Sequence, residues 1–144
     1  MAGTYRSSEF FKALPAPLRT HLPPPLRKFH VRLRNWMLQV YYADGYVHYE
    51  ASAFPKLSCF EIALHFERRG REFNDSLMAQ FLPYAFEIKA ELGPQVEFER
   101  WDKGWSKIYE TLPLATYDDD FLESVAVRMA RMIACLEPIL SELP

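Results

Sequence analysis

Five side chains in one short stretch, His48, Glu50, Glu61, His65 and Glu67, are of the types that hold a divalent cation or exchange a proton. Imidazole and carboxylate groups on one rigid face can ligate Zn²⁺ or a similar ion, or pair a general base with an orienting acid. They fall within Tyr46 to Glu67, YVHYEASAFPKLSCFEIALHFE, which reads as two strands joined at Phe54-Pro55-Lys56-Leu57. Strand side chains alternate, so Phe60, Ile62, Leu64 and Phe66 point one way, and Cys59, Glu61, Ala63, His65 and Glu67 the other. On the first strand Val47, Tyr49 and Ala51 alternate with His48, Glu50 and Ser52. A four-residue turn at 54–57 sets Ala53 opposite Ser58, Tyr49 opposite Ile62 and Glu50 opposite Glu61. Like charges facing each other need a basic neighbour, a shared proton, a cation or water. No HExxH or comparable spacing occurs, and the uncovered face of an antiparallel sheet is normally wet. The expectation is therefore a solvated polar face with no metal and no cofactor.

Three other groups of residues have chemistry to offer. A basic run from Arg19 to Arg34 falls on a helix expected over 25–42, where Arg27, Arg32 and Arg34 could lie against phosphates. Trp101, Trp105 and Tyr109 share an alternating pattern and are candidates for a protein interface. Glu87-Ile88-Lys89 has the acid–x–lysine spacing of some nuclease cores, but it sits in a helical pattern, where i and i+2 do not share a face. It reads as solvated helix charge.

The elements that must position these residues follow from pattern. Ser7-Ser8-Glu9 can cap a short helix that Pro15 ends, and Pro15, Pro17 and Pro23-Pro24-Pro25 make an extended connector. Residues 1–24 thus read as a proline-rich arm. Leu26, Phe29, Leu33, Trp36, Met37 and Val40 recur at helical steps. Beyond the central hairpin, Leu77, Phe81, Ala85, Ile88 and Leu92 line a second helix that Pro83 should kink. Val96 to Trp101 and Trp105 to Leu112 read as a second hairpin. Asp118-Asp119-Asp120 opens a last helix, with Leu122, Val125, Met129, Met132, Leu136 and Ile139 on one stripe. The expected order is α–α–ββ–α–ββ–α, an α+β fold with a mainly antiparallel four-stranded sheet and long helices on one face.

The 144 residues fit one domain over 1–144, and 49% hydrophobic residues suffice for a core. A net charge of −2 carries no global basic excess toward nucleic acid. Cys59 and Cys135 fit no zinc or redox spacing. No run is apolar and long enough to span a bilayer, and the N-terminus lacks a signal-peptide layout, so a cytoplasmic location and no membrane partner are expected.

Residues 60–140 resemble a small α+β domain that follows nuclease modules in prokaryotic proteins. The resemblance lies in Glu97-Phe98-Glu99-Arg100-Trp101, Ser106-Lys107-Ile108 and the last helix ending in Pro138-Ile139-Leu140. It implies an accessory or binding role and carries over no catalytic residue. The element order also resembles secretion-chaperone-like domains, which are small, acidic and dimeric. The leading expectation is a non-enzymatic interaction module with a protein partner or a second copy of itself. The alternatives are a nucleic-acid-associated accessory domain and a metal-dependent hydrolase using the His/Glu face.

Overall fold

Why the central hairpin forms is plain from its composition. Both strands alternate large apolar residues with polar or small ones, and each buries its apolar set on one side. The computed structural model describes residues 3–143; residues 1, 2 and 144, at the ends of the single domain expected over 1–144, lie outside that range. The hairpin strands are β3 (Val47–Phe54) and β4 (Cys59–Phe66). They lie at the middle of a six-stranded antiparallel sheet with β1 (His30–Arg34), β2 (Met37–Tyr41), β5 (Glu97–Trp101) and β6 (Trp105–Pro113), in the order β1-β2-β3-β4-β6-β5. The α+β class and the antiparallel sheet agree with expectation. The strand count does not: the sheet has six strands, not four.

The two extra strands come from a segment expected to be helical. Over 25–42 the chain makes one 3₁₀ turn, Pro24–Leu26, and then the β1–β2 hairpin. The same residues carry a helical stripe and, over 30–34 and 38–40, an alternation of apolar and polar residues. Tertiary context favours the alternation, because β3 has a free backbone edge whose N–H and C=O groups need partners. Strand β2 satisfies that edge, with Leu38 opposite Ala51 and Val40 opposite Tyr49, and both Leu38 and Val40 are fully buried. Trp36, part of the helical stripe, is instead exposed at the turn.

The N-terminal arm is also more ordered than expected. Helix α1 (Ser7–Ala13) is followed directly by α2 (Pro15–His21). Pro15 does not start an extended connector; it occupies the first turn of α2, where a missing N–H costs nothing. Helices α3 (Arg71–Phe81) and α4 (Ala85–Leu92) are separated by a 3₁₀ turn at Leu82–Tyr84, the break expected at Pro83. Helix α5 (Asp119–Glu142) is capped by Asp118, whose carboxylate accepts from the Phe121 N–H at 2.8 Å.

One hydrophobic core joins the apolar face of the sheet to the helices. Phe10, Phe11 and Leu18 from α1 and α2, Phe81 and Ile88 from α3 and α4, and Val125, Met129 and Leu136 from α5 pack with Phe60, Ile62 and Leu64. Arg128 on α5 donates to the buried Glu110 on β6 at 2.6 Å, tying helix to sheet. The other sheet face carries the His/Glu residues.

Candidate metal centre

Two adjacent strands supply the same short pattern. His48-Tyr49-Glu50 on β3 and His65-Phe66-Glu67 at the end of β4, Glu67 directly following the strand, are both His–aromatic–Glu. In each, the aromatic ring goes to the core, and His and Glu go to the opposite face. The register sets the two triplets against each other: His48 pairs with His65, Glu50 with Ala63, and Ser52 with Glu61. This is two residues away from the expected register, so Glu50 does not face Glu61. The difference arises at the turn. Ser58 takes a left-handed conformation (φ 51°) and belongs to the turn, so pairing closes at Phe54 and Cys59. A two-residue shift preserves the face of every side chain while changing its neighbours.

The face is not wet. His48, Glu50, Glu61 and His65 are 1%, 6%, 5% and 2% exposed, contrary to the solvated surface expected. The rims of the sheet close over them. Trp101 stands edge-on to His65 with ring centroids 5.5 Å apart, and Trp105 packs on Trp101. The Arg32 guanidinium lies 3.5 Å from His48 Nδ1, and Lys107 donates to Glu61 at 2.9 Å.

Ligand-type atoms of four residues converge. His48 Nε2 is 3.3 Å from Glu50 Oε1 and 3.8 Å from Glu67 Oε1. His65 Nδ1 is 2.7 Å from Glu67 Oε2 and 3.9 Å from Glu50 Oε1. Metal bonds of about 2.0–2.1 Å in a tetrahedral shell put ligand atoms roughly 3.3 Å apart, so these separations bracket the requirement. Ligand atoms of His48, His65 and Glu67 all lie within 4.8 Å of one another.

The surrounding hydrogen bonds orient these ligands. His48 Nδ1 lies 2.9 Å from the Gly45 carbonyl, which can only accept, so Nδ1 carries the proton. His48 Nε2 is left buried without a hydrogen bond, facing two carboxylate oxygens. With His48 neutral, its Nε2 and the two carboxylate oxygens are three acceptors facing one another, a costly arrangement in a buried site that a cation, or a second proton on His48, relieves. His65 Nε2 lies 3.5 Å from Glu61 Oε1 and, like His48 Nε2, is buried without a hydrogen bond, and Glu50 Oε1 accepts from Gln39 at 2.8 Å. Carboxylate or carbonyl partners on the far side of the imidazoles are the usual support of ligating histidines. Ala63 makes the Glu61–His65 approach feasible, because its methyl group is all that lies between them on that face of β4.

The local field matches. Burial disfavours the Glu50 carboxylate, but the imidazoles of His48 and His65 and the Gln39 amide outweigh it and bring its pKa to about 2. Burial likewise opposes charge on His65, yet Glu61, Glu67 and Glu50 raise its pKa to about 9. The cluster therefore attracts positive charge, a proton on His65 or a cation that replaces it, strongly enough to overcome desolvation.

The other sequence candidates are placed apart. Trp101, Trp105 and Tyr109 are half-buried and engaged within the molecule: Lys107 lies over the rings of Trp101 and Tyr109, and the Tyr109 hydroxyl donates to Glu99 at 2.5 Å. Arg32 and Arg34 project from β1, while Arg27 lies in the preceding loop and donates to the Leu22 carbonyl. They share no helix face. Glu97 and Glu99 are exposed on β5, two strands from His65 and three from His48. Gln39, Gly45 and Lys107 were missed as site residues by sequence reasoning. The legible signal was the repeated His–aromatic–Glu triplet, which points to a site only in the correct register. Comparison with protein-family models, with curated proteins and with solved structures finds no match.

Proposed function

We propose that this α+β domain binds one divalent transition-metal ion between β3 and β4, with His48 Nε2, His65 Nδ1 and Glu67 as ligands and Glu50 as the fourth or as a base beside the ion. The observation that carries the reading is the buried, unbonded His48 Nε2 facing carboxylate oxygens with its proton committed to Gly45. Two imidazoles and carboxylates suit Zn²⁺, Mn²⁺ or Fe²⁺ more than Ca²⁺ or Mg²⁺. A resident ion of this kind supports the metal-dependent hydrolase alternative over a solvated face. The test is metal analysis combined with native mass spectrometry of protein exchanged into Zn²⁺. One ion per chain is expected, with affinity reduced at least about tenfold in His48→Gln and Glu67→Gln. A folded protein that takes up no Zn²⁺, Mn²⁺ or Fe²⁺ would refute the reading and leave a second proton on His48 to resolve the clash of acceptors.

Edge strand β1 supports a second reading, self-association. Val31 and Leu33 are 42% and 43% exposed on a strand with one unpaired backbone edge, which is a template for pairing with a second copy. Sedimentation velocity should then show a dimer that Val31→Lys dissociates.

A further inference from the structure

A cavity of about 540 Å³ opens beside the metal centre, within the size range of small-molecule sites. It is shared with the centre through Glu67, which lines it and also stands 2.7 Å from His65 Nδ1. We propose that this cavity binds an organic anion, an oxyanion group on an apolar body, with the oxyanion held by Arg32 and Arg34 and directed at the metal; the proposal rests on the metal reading above.

The lining has two guanidiniums and one carboxylate, Glu67, which the metal reading assigns as a ligand. Arg34 makes no ion pair or side-chain hydrogen bond among the described residues, so its full donor fork is free. Arg32 is already oriented. Its Nε donates to Gln39 Oε1 at 2.9 Å, its Nη2 to the Gly45 carbonyl at 2.5 Å, and its guanidinium lies 4.8 Å from the centre of the Tyr41 ring. That leaves Nη1 and spends no carboxylate. Gly45 admits this packing: a Cβ there would meet Arg32 Nη1 at 2.3 Å. A guanidinium fixed in this way recognises planar or tetrahedral oxyanions with little ordering cost.

Charge bookkeeping gives the arginines the deciding role. Glu50 and Glu67 together cancel the charge of a divalent ion and Lys107 cancels that of Glu61, so the net attraction for an anion comes from Arg32 and Arg34. A cationic ligand would be repelled by both. The remaining walls are Met37, Leu33, Tyr46 and Trp105, which suit an aliphatic or aromatic body and not a bare inorganic ion.

Calorimetric titration of the Zn²⁺-loaded protein with phenyl phosphate, phenylacetate, inorganic phosphate and benzyl alcohol tests the proposal. Phenyl phosphate or phenylacetate should bind, and whichever binds more tightly identifies the oxyanion. Benzyl alcohol should not bind, and inorganic phosphate should bind more weakly than phenyl phosphate. Arg34→Gln, an exposed position, should weaken binding at least about tenfold while one Zn²⁺ per chain is retained. The anion proposal is overturned if the Zn²⁺-loaded protein binds neither organic anion, or if Arg34→Gln binds them unchanged. In both cases the metal reading stands. Equal binding after EDTA treatment would refute contact between anion and metal. Failure to take up Zn²⁺ at all is the separate failure of the underlying reading.

Discussion

His48 and His65 face each other directly across the central hairpin, with ring centroids 5.2 Å apart and tilted by 40°. The pairing brings the Glu residue of each triplet to the pair from opposite ends, Glu50 along β3 and Glu67 along β4. It follows that metal affinity and fold stability are coupled at this pair. A metal that binds only the folded form stabilises it by about 2.7 kcal/mol at a hundredfold excess over Kd. Differential scanning fluorimetry should show a rise of several degrees with Zn²⁺ over EDTA, and a smaller rise in His48→Gln.

The space above Ala63 is a second point of leverage. Glu61 and His65 approach to 3.5 Å across this small side chain. Ala63→Leu should cost about 1–3 kcal/mol by overpacking a fully buried site. It should also separate His65 from Glu61 and weaken metal binding, readable by urea denaturation in EDTA and by Zn²⁺ titration.

Both faces of β4 should be intolerant of substitution, for different reasons. Leu64→Asp puts an unpaired charge into the apolar core and should unfold the domain. His65→Ala, which would be nearly silent on a wet face, instead leaves Glu61 and Glu67 without their imidazole partner. A loss of about 3 kcal/mol is expected, against about 0.5 kcal/mol for a surface site. Chemical denaturation in EDTA distinguishes the two values.

A pH dependence arises at the opposite face. Tyr49 donates to Glu137 Oε2 at 2.8 Å, but burial outweighs that bond and raises the Glu137 pKa above its ordinary 4.5. The folded state therefore binds this proton more tightly than the unfolded state. The corresponding stability is present below pH 4.5 and is lost as pH rises through the folded-state pKa. Glu137→Gln, which keeps an acceptor for Tyr49, should be more stable than the parent at pH 7.5 and show a smaller difference at pH 4. Paired urea titrations at the two pH values measure this.

The cap of α5 gives a calibrating prediction. Asp118→Ala removes the acceptor for the Phe121 N–H and should cost about 1 kcal/mol. The change should appear in the denaturation midpoint, with Zn²⁺ affinity unaffected.

Much of this protein was legible in the chain itself. Period-two alternation assigned every residue of 47–52 and 59–66 to its face, because a strand has only two faces. Asp118 and the stripe from Leu122 to Leu136 marked α5, and Pro83 marked the break between α3 and α4. These are local signals, carried by a few neighbouring residues. Residues 30–41 hold two periodicities at once, and only the unpaired edge of β3 decided between helix and hairpin. Register was likewise not local: Ser58 entering the turn moved the pairing by two, put His48 opposite His65 and separated Glu50 from Glu61. Burial of the polar face needed Trp101, Arg32 and Lys107 to arrive from three other strands. The sequence thus determined which side chains share a face; tertiary structure alone decided which of them touch, and whether water reaches them.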